Sequence, residues 1–550
     1  MVVPICMMGL IGKRINQVAR IAGSITVPDV LRDRFQSPAF GLLATALIVF
    51  FMAFNLVAQC KAGSLILKTL LDGVDLFHRT ALSLGGTVGG SSYFAGVDSE
   101  NLLCLLVFGL VVVVYTAYGG FHAVVWTDVM QGVVMLVGVV ILLGLALSQV
   151  GGLANATREV ARMVPPENGV LQLEVSGETK IPQGTWFKLE SENQLQYFRA
   201  KKDASISSDQ NGGENEVKVI CLPQPTHAEA KAIEKQLAQQ SLAIIPFTYT
   251  KESGYLYGEG KQGVYVSAPG PSATETQGFL PVMLAMCFFA FWPFAGSGQP
   301  SYMARQMAFK DTVTLRRSIV FVMVYFSLIY FPLIIIFTCG RVLLPGWEID
   351  SDRIMPEMAV FLTSNAGAPW LAGLLLAAPF AAVMSSVDSF LLLFSSTVTR
   401  DVYQQKHPDA SEAKLKKVSY TVTIIMGAMA VVAMLKPPQF LQDLIVFGSG
   451  GLAASFLMPV VLTLYWPRLT PMAAVAGMIS GGFTIGAIYL VAFFKHGKFG
   501  EIYLQGLHPF IWAVATSALV MVLTTKNSKP TDSKLVEKYF GKLGTQKNVL

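Results

Sequence analysis

Three stretches of this 550-residue chain place oxygen and charge among apolar residues, where polar groups are costly and usually functional. The first runs from Ala382 to Ser396 and holds Ser385, Ser386, Asp388 and Ser389. Positions 382, 385, 386, 389 and 396 follow helical spacing and form one polar stripe. Hydroxyl and carbonyl oxygens suit a hard cation such as Na+. Serines also serve close packing between helices, but Asp388 beside them favours a cation site. The second stretch is Phe291-Trp-Pro-Phe-Ala-Gly-Ser-Gly-Gln-Pro300. Pro293 and Pro300 remove backbone donors, and Gly296 and Gly298 weaken helix, so a break is predicted. A broken helix frees backbone groups to bind an ion or substrate; a plain helix end before the next loop is the alternative. The third is Asp128, in Tyr115-Thr-Ala-Tyr-Gly-Gly-Phe-His-Ala-Val-Val-Trp-Thr-Asp128. It is expected just inside a helix, after a tight turn at Gly119-Gly120, where the helix dipole alone could account for a carboxylate. His122, in that turn, reads as a solvated loop residue.

The elements that must carry these residues are membrane spans. The chain is 53% hydrophobic and 14% charged, against about 25% charged in soluble proteins, and its mean hydropathy is +0.52. Apolar runs long enough to cross a bilayer as helix fall at 39–66, 101–118, 123–148, 276–298, 318–342, 367–397, 418–435, 439–466, 471–494 and 508–525. This makes an all-α polytopic membrane protein. It divides into a partial helix plus three spans over 1–149, a polar insert over 150–275, seven spans over 276–525 and a tail over 526–550. The six cysteines lack metal-binding spacing and read as packing residues.

Basic residues precede the first full span, follow the fourth and sixth, and crowd the tail. These segments share one side if the spans alternate, and that side is expected to be the cytoplasm of an inner-membrane protein. The net charge of +6 therefore reflects orientation and not nucleic-acid binding. The insert is then extracytoplasmic. Its apolar runs at 170–175, 185–189, 216–222, 243–249 and 263–267, with a helical stretch at 227–240, predict a small α+β domain. Met1 to Gly12 is apolar but too short to span, and reads as the cytoplasmic end of a helix whose beginning is missing.

Four blocks together resemble the solute:sodium symporter family. They are Thr26-Val-Pro-Asp-Val-Leu-Arg-Asp-Arg-Phe35, the Tyr-Gly-Gly…Trp-Thr-Asp-Val…Gln131 block, Arg305 to Arg317, and Ala381-Ala-Val-Met-Ser-Ser386 through Arg400-Asp-Val-Tyr403. Lys436-Pro-Pro438 with Phe447-Gly-Ser-Gly-Gly451…Tyr465-Trp466 is most similar to its pantothenate permease branch. The resemblance implies a LeuT-like core of five plus five inverted-repeat helices. It also implies a Na+ site from the Ala382 carbonyl and the Ser385 and Ser386 hydroxyls, and a link between Asp128 and sodium coupling. Gln299 and Ser301, with Gly296 and Gly298, fall at substrate-facing and gating positions. Ser301 departs from the aromatic residue or His of many relatives. Asp388 departs from a small polar residue, and is expected either to form a second cation or proton site with Asp128 or to pair with a basic residue.

The start falls inside the family's third helix, implying a late-assigned start or an inactive truncated product. The expected function is Na+-coupled import of a small organic solute, pantothenate or another carboxylate, with Na+ as coupling ion, no cofactor and no enzymatic step. A sensor or receptor with the same fold, or a channel, are the rival readings.

Overall fold

The computed structural model describes residues 2–37, 39–88, 98–174, 179–191, 194–206, 216–240, 245–435, 441–497 and 499–541. The side chain of His122, the Lys436-Pro-Pro438 segment and the turn-rich stretch 207–215 lie outside the described residues. Among the described residues, nine helices are long and apolar enough to cross a membrane. A tenth span forms if the helices Val282–Ser297 and Pro300–Met307, bent by 50° at a short break, are taken together. The nine fall where the apolar runs place them, because lipid forces an apolar run of that length to pair its backbone groups as helix. The bent pair overlaps the run expected at 276–298 but begins at Val282 and ends at Met307.

One local expectation fails. No turn forms at Gly119-Gly120: the backbone is helical from Ser99 to Val150, and the spans Ser99–Gly119 and Val124–Val150 lie within that run. Two helical glycines cost only about 1 kcal/mol each, which the apolar residues on both sides outweigh. Asp128 is therefore an interior helix residue, and a helix terminus does not explain it.

The chain divides into two compact units, one of residues 1–137, 286–329 and 376–550, the other of 138–285 and 330–375. In the first, the helix Leu441–Tyr465 is the most enclosed span and packs against Ala39–Leu71, Pro471–His496 and Pro509–Asn527. Gly451 makes one of the closest approaches: a Cβ there would overlap the ring of Phe51. This is the small-residue contact by which membrane helices gain van der Waals packing when lipid offers no hydrophobic drive.

In the second unit, strands β1 (Glu167–Glu174), β3 (Trp186–Ser191), β4 (Gln194–Ala200), β6 (Glu216–Leu222) and β7 (Ile245–Ser253) form an antiparallel sheet in the order β3-β4-β6-β1-β7. Strands β2 (Thr179–Ile181) and β5 (Ala204–Ile206) pair separately. Leu171, Leu173, Phe187, Phe198, Val217 and Val219 fill one core. The helix His227–Leu237, opened by a Thr226/Glu229 capping box, covers Trp186, Tyr197 and Leu222 through Ile233. The expected strand at 263–267 is a series of turns. Gly263 has φ of +81° and donates its amide to Ala161 O at 2.8 Å, a conformation open to glycine but not to a strand. Arg199 is buried between the rings of Trp186 and Trp347, 5.3 and 4.5 Å from their centroids, and donates to the carbonyls of Gly184 and Pro345. Burial lowers its guanidinium to about 10.

Gly451→Ala should lower the thermal midpoint of the detergent-purified protein, since overpacking a filled contact costs about 1–3 kcal/mol. An unchanged midpoint would show that the Phe51 contact is loose.

Candidate cation and substrate site

The helix Leu371–Thr397 continues through a wider π-helical turn, Val398–Tyr403. On its polar stripe the Ser385 and Ser386 hydroxyls both donate to the Ala382 carbonyl, at 3.0 and 3.1 Å. Ser389 Oγ donates to the Ser385 carbonyl at 2.7 Å. All three serines are half-buried. Each hydroxyl that donates keeps its oxygen lone pairs. The Ala382 carbonyl and two hydroxyls thus gather three oxygens within about one turn, a donor set that fits a hard cation.

The break precedes the helix Pro300–Met307. Ser297 Oγ donates to the Pro293 carbonyl at 2.8 Å, and the Gln299 amide to the Gly296 carbonyl at 3.2 Å. Pro300 takes the first helical position, where its missing N–H costs nothing. Gln299 and Ser301 are buried, and among the described residues Ser301 Oγ has no hydrogen-bond partner. Gly296 lies against Met7, and Gly298 against Ala453, at distances that leave no room for a Cβ. Gln306 donates to the Met7 carbonyl at 2.8 Å, and Asn16 to the Met307 carbonyl at 2.7 Å.

Arg305 joins these parts. It lies on the short helix after the break and not in the following loop, where its charge alone would place it. Its Nη2 donates to Asp128 Oδ2 at 3.0 Å and to Ser389 Oγ at 2.6 Å. Among the described residues, no hydrogen bond runs directly from 382–386 to 296–301; the connection passes through Arg305 and Ser389. Asp388 is fully buried and accepts a hydrogen bond from Thr116 Oγ1 at 2.6 Å. The expected basic partner is absent from it among the described residues: the arginine goes to Asp128 instead, and the two carboxylates are held by different groups.

A second polar cluster escaped the sequence reading, although both its halves carried the family resemblance. Thr26 Oγ1 caps the helix Val27–Phe35 by accepting from the Asp29 amide at 3.2 Å, and donates to the buried Asp401 carboxylate. Asp29 pairs with Arg32 and with Arg400 Nε, the latter at 3.0 Å. Arg32 also lies 3.8 Å from Asp401. The Thr26–Phe35 and Arg400–Tyr403 blocks are one clamp, beside a 340 Å³ cleft lined by Ser24, Asp29, Arg32, Asp33 and Arg400. The opposed charges were legible, but the long separation hid their pairing.

In a double-mutant cycle of Asp128→Asn and Arg305→Gln, thermal unfolding should show a coupling of roughly 0.5–3 kcal/mol. Additive single effects would mean that the pair does not link the helices.

The model of the Sodium:solute symporter family matches residues 1–185 and 265–481, leaving out strands β3 to β7. The sodium/pantothenate symporter of Escherichia coli strain K12 is 24% identical over 521 residues, covering 94% of this chain and 78% of its own. That of Haemophilus influenzae is 24% identical over 479 residues, covering 86% and 71%. A solved Na+-coupled sialic acid symporter aligns over 97% of this chain and 99% of its own, at 15% identity and a TM-score of 0.44, too distant to lend details of its site. The family match spans most of the chain and takes in the serine stripe, the broken helix, Asp128 and both halves of the clamp, so this multi-pass membrane protein belongs to the sodium:solute symporter family.

Proposed function

We propose that the chain is a Na+-coupled symporter that imports a small organic carboxylate, with pantothenate as the first candidate. The observation that carries this reading is the oxygen cluster at Ala382, Ser385 and Ser386, joined through Ser389 and Arg305 to the broken helix. Na+ binds the Ala382 carbonyl and the two hydroxyls, which turn their lone pairs to the ion. That fixes the stripe around Ser389, and with it the position of Arg305 and the half-helix Pro300–Met307. Substrate binds at the break, against Gln299, Ser301 and the backbone of Gly296 and Gly298. The positive partial charge at the start of Pro300–Met307 suits a carboxylate. Names of the E. coli and H. influenzae relatives point to the same substrate.

Coupling is a population shift. Na+ favours the conformation with the half-helix fixed, and substrate has higher affinity for that conformation. Each charge that enters through 100 mV contributes about 2.3 kcal/mol to uptake. Asp128 and Asp388 serve as a second site for a cation or proton. Asp128 enters it on release from Arg305, and Asp388 is already oriented by Thr116. The protein sits in the inner membrane with the 150–275 insert outside and the C-terminus in the cytoplasm, as the basic loops favour.

In proteoliposomes, inward Na+ should drive uptake of labelled pantothenate. Ser385→Ala and Ser386→Ala should each raise the half-saturating Na+ concentration about tenfold, equivalent to ~1.4 kcal/mol. Unaltered Na+ dependence in both variants would remove the proposed ion site. Flux indifferent to Na+ would identify a channel.

A further inference from the structure

The unit that carries the sheet holds a partly open cavity of about 230 Å³, large enough for about eight waters at ~30 Å³ each. Its apolar wall includes Met163, Leu222, Phe337 and Ile354. Three charged side chains enter it, and their pairing is unequal. Arg341 stacks on the Tyr265 ring, 4.0 Å from the centroid, and pairs with Glu348 at 2.9 Å. Glu229 is buried, and among the described residues it has no ion-pair partner. Its Oε2 accepts the Thr226 amide at 2.7 Å, a helix cap that offers only partial positive charge. The nearby Arg199 is held by carbonyls and aromatic rings instead. Glu348 thus faces Arg341 directly and Arg199 at longer range, whereas Glu229 has only a helix cap and, among the described residues, no full counter-charge at contact distance.

We infer that this cavity binds a small organic monocation with an apolar body, its ammonium group set between Glu229 and Glu348 and its hydrocarbon against Phe337 and Ile354. Such a ligand gives Glu229 a positive charge at contact distance, and an apolar wall favours a weakly hydrated body over a bare metal ion. Burial pushes the Glu229 carboxyl up to about 7, in keeping with a charge lacking a full counter-charge; Glu348 raises it further, while Thr226 and Arg341 oppose the rise. Glu229 lies outside the residues matched by the family model, whereas Phe337, Arg341, Glu348 and Ile354 lie within them, so the cavity is shared between the insert and matched residues of the same unit.

The test is calorimetric titration of the full detergent-purified protein at pH 8.5, where Glu229 is ionised, with three probes of one shape. These are cyclohexylammonium, the neutral cyclohexanol and the anionic cyclohexanecarboxylate. The cation should bind at least tenfold tighter than the alcohol, and the anion more weakly than either. Glu229→Gln keeps an acceptor for the Thr226 amide and so preserves the cap. It should lose at least tenfold in affinity for the cation and leave cyclohexanol binding unchanged. Equal binding of the three probes, tighter binding of the anion, no binding of the cation, or an unaltered Glu229→Gln would each overturn the inference. Because no readout depends on transport, failure here leaves the symport reading intact, and the converse also holds.

Discussion

The guanidinium of Arg305, held between a carboxylate on one membrane span and a hydroxyl on another, is the contact on which the rest of the transport region depends. A charge within a span needs a partner, since desolvation without one costs several kcal/mol. Asp128 supplies the counter-charge and Ser389 a further acceptor. The short helix after the break therefore cannot shift without either carrying both neighbours or exchanging its partners. Such a contact makes two discrete arrangements more stable than those between them, which alternating access requires. In the proposed mechanism a cation at the serine stripe acts one helical turn from this contact, through the Ser389 hydroxyl that donates to the Ser385 carbonyl.

Around that movable contact stand two stiffer ones. The helix Leu441–Tyr465 is packed through glycine against Phe51, leaving little space for rearrangement. The clamp of Thr26, Asp29, Arg32, Arg400 and Asp401 joins chain segments more than 350 residues apart. Its two buried acids each face an arginine, so opening it would leave buried charges unpaired. The π-helical turn Val398–Tyr403 that places Arg400 and Asp401 has the kind of irregularity often found at functional positions in helices.

Much of this was legible in the residues, for physical reasons that can be named. Apolar length determines a span, so the nine long helices appeared in their places and the bent pair overlaps the tenth apolar run. Proline and glycine together at 293–300 weaken a helix wherever they stand, so the break appeared too. The serine stripe followed from a period of 3.6. Pairing across the chain was not legible. Arg305 looked like one more loop arginine, because charge alone does not tell a span's end from the loop after it. A basic partner for Asp388 was one of two readings; among the described residues none pairs with it, and a threonine from a distant span donates to it. At Gly119-Gly120 local propensity suggested a turn, and the apolar context kept the helix. In the insert, 263–267 has the composition of a strand, but the positive φ of Gly263 makes it a turn.

Hydrogen–deuterium exchange of the purified protein, with Na+ and with an equal concentration of K+, tests the central claim most directly. If the stripe and the half-helix are one coupled element, Na+ slows exchange in 382–389 and in 296–307 together, K+ does neither, and Arg305→Gln confines the protection to 382–389. Protection of 296–307 that persists in Arg305→Gln, or no protection of either segment by Na+, would contradict the account.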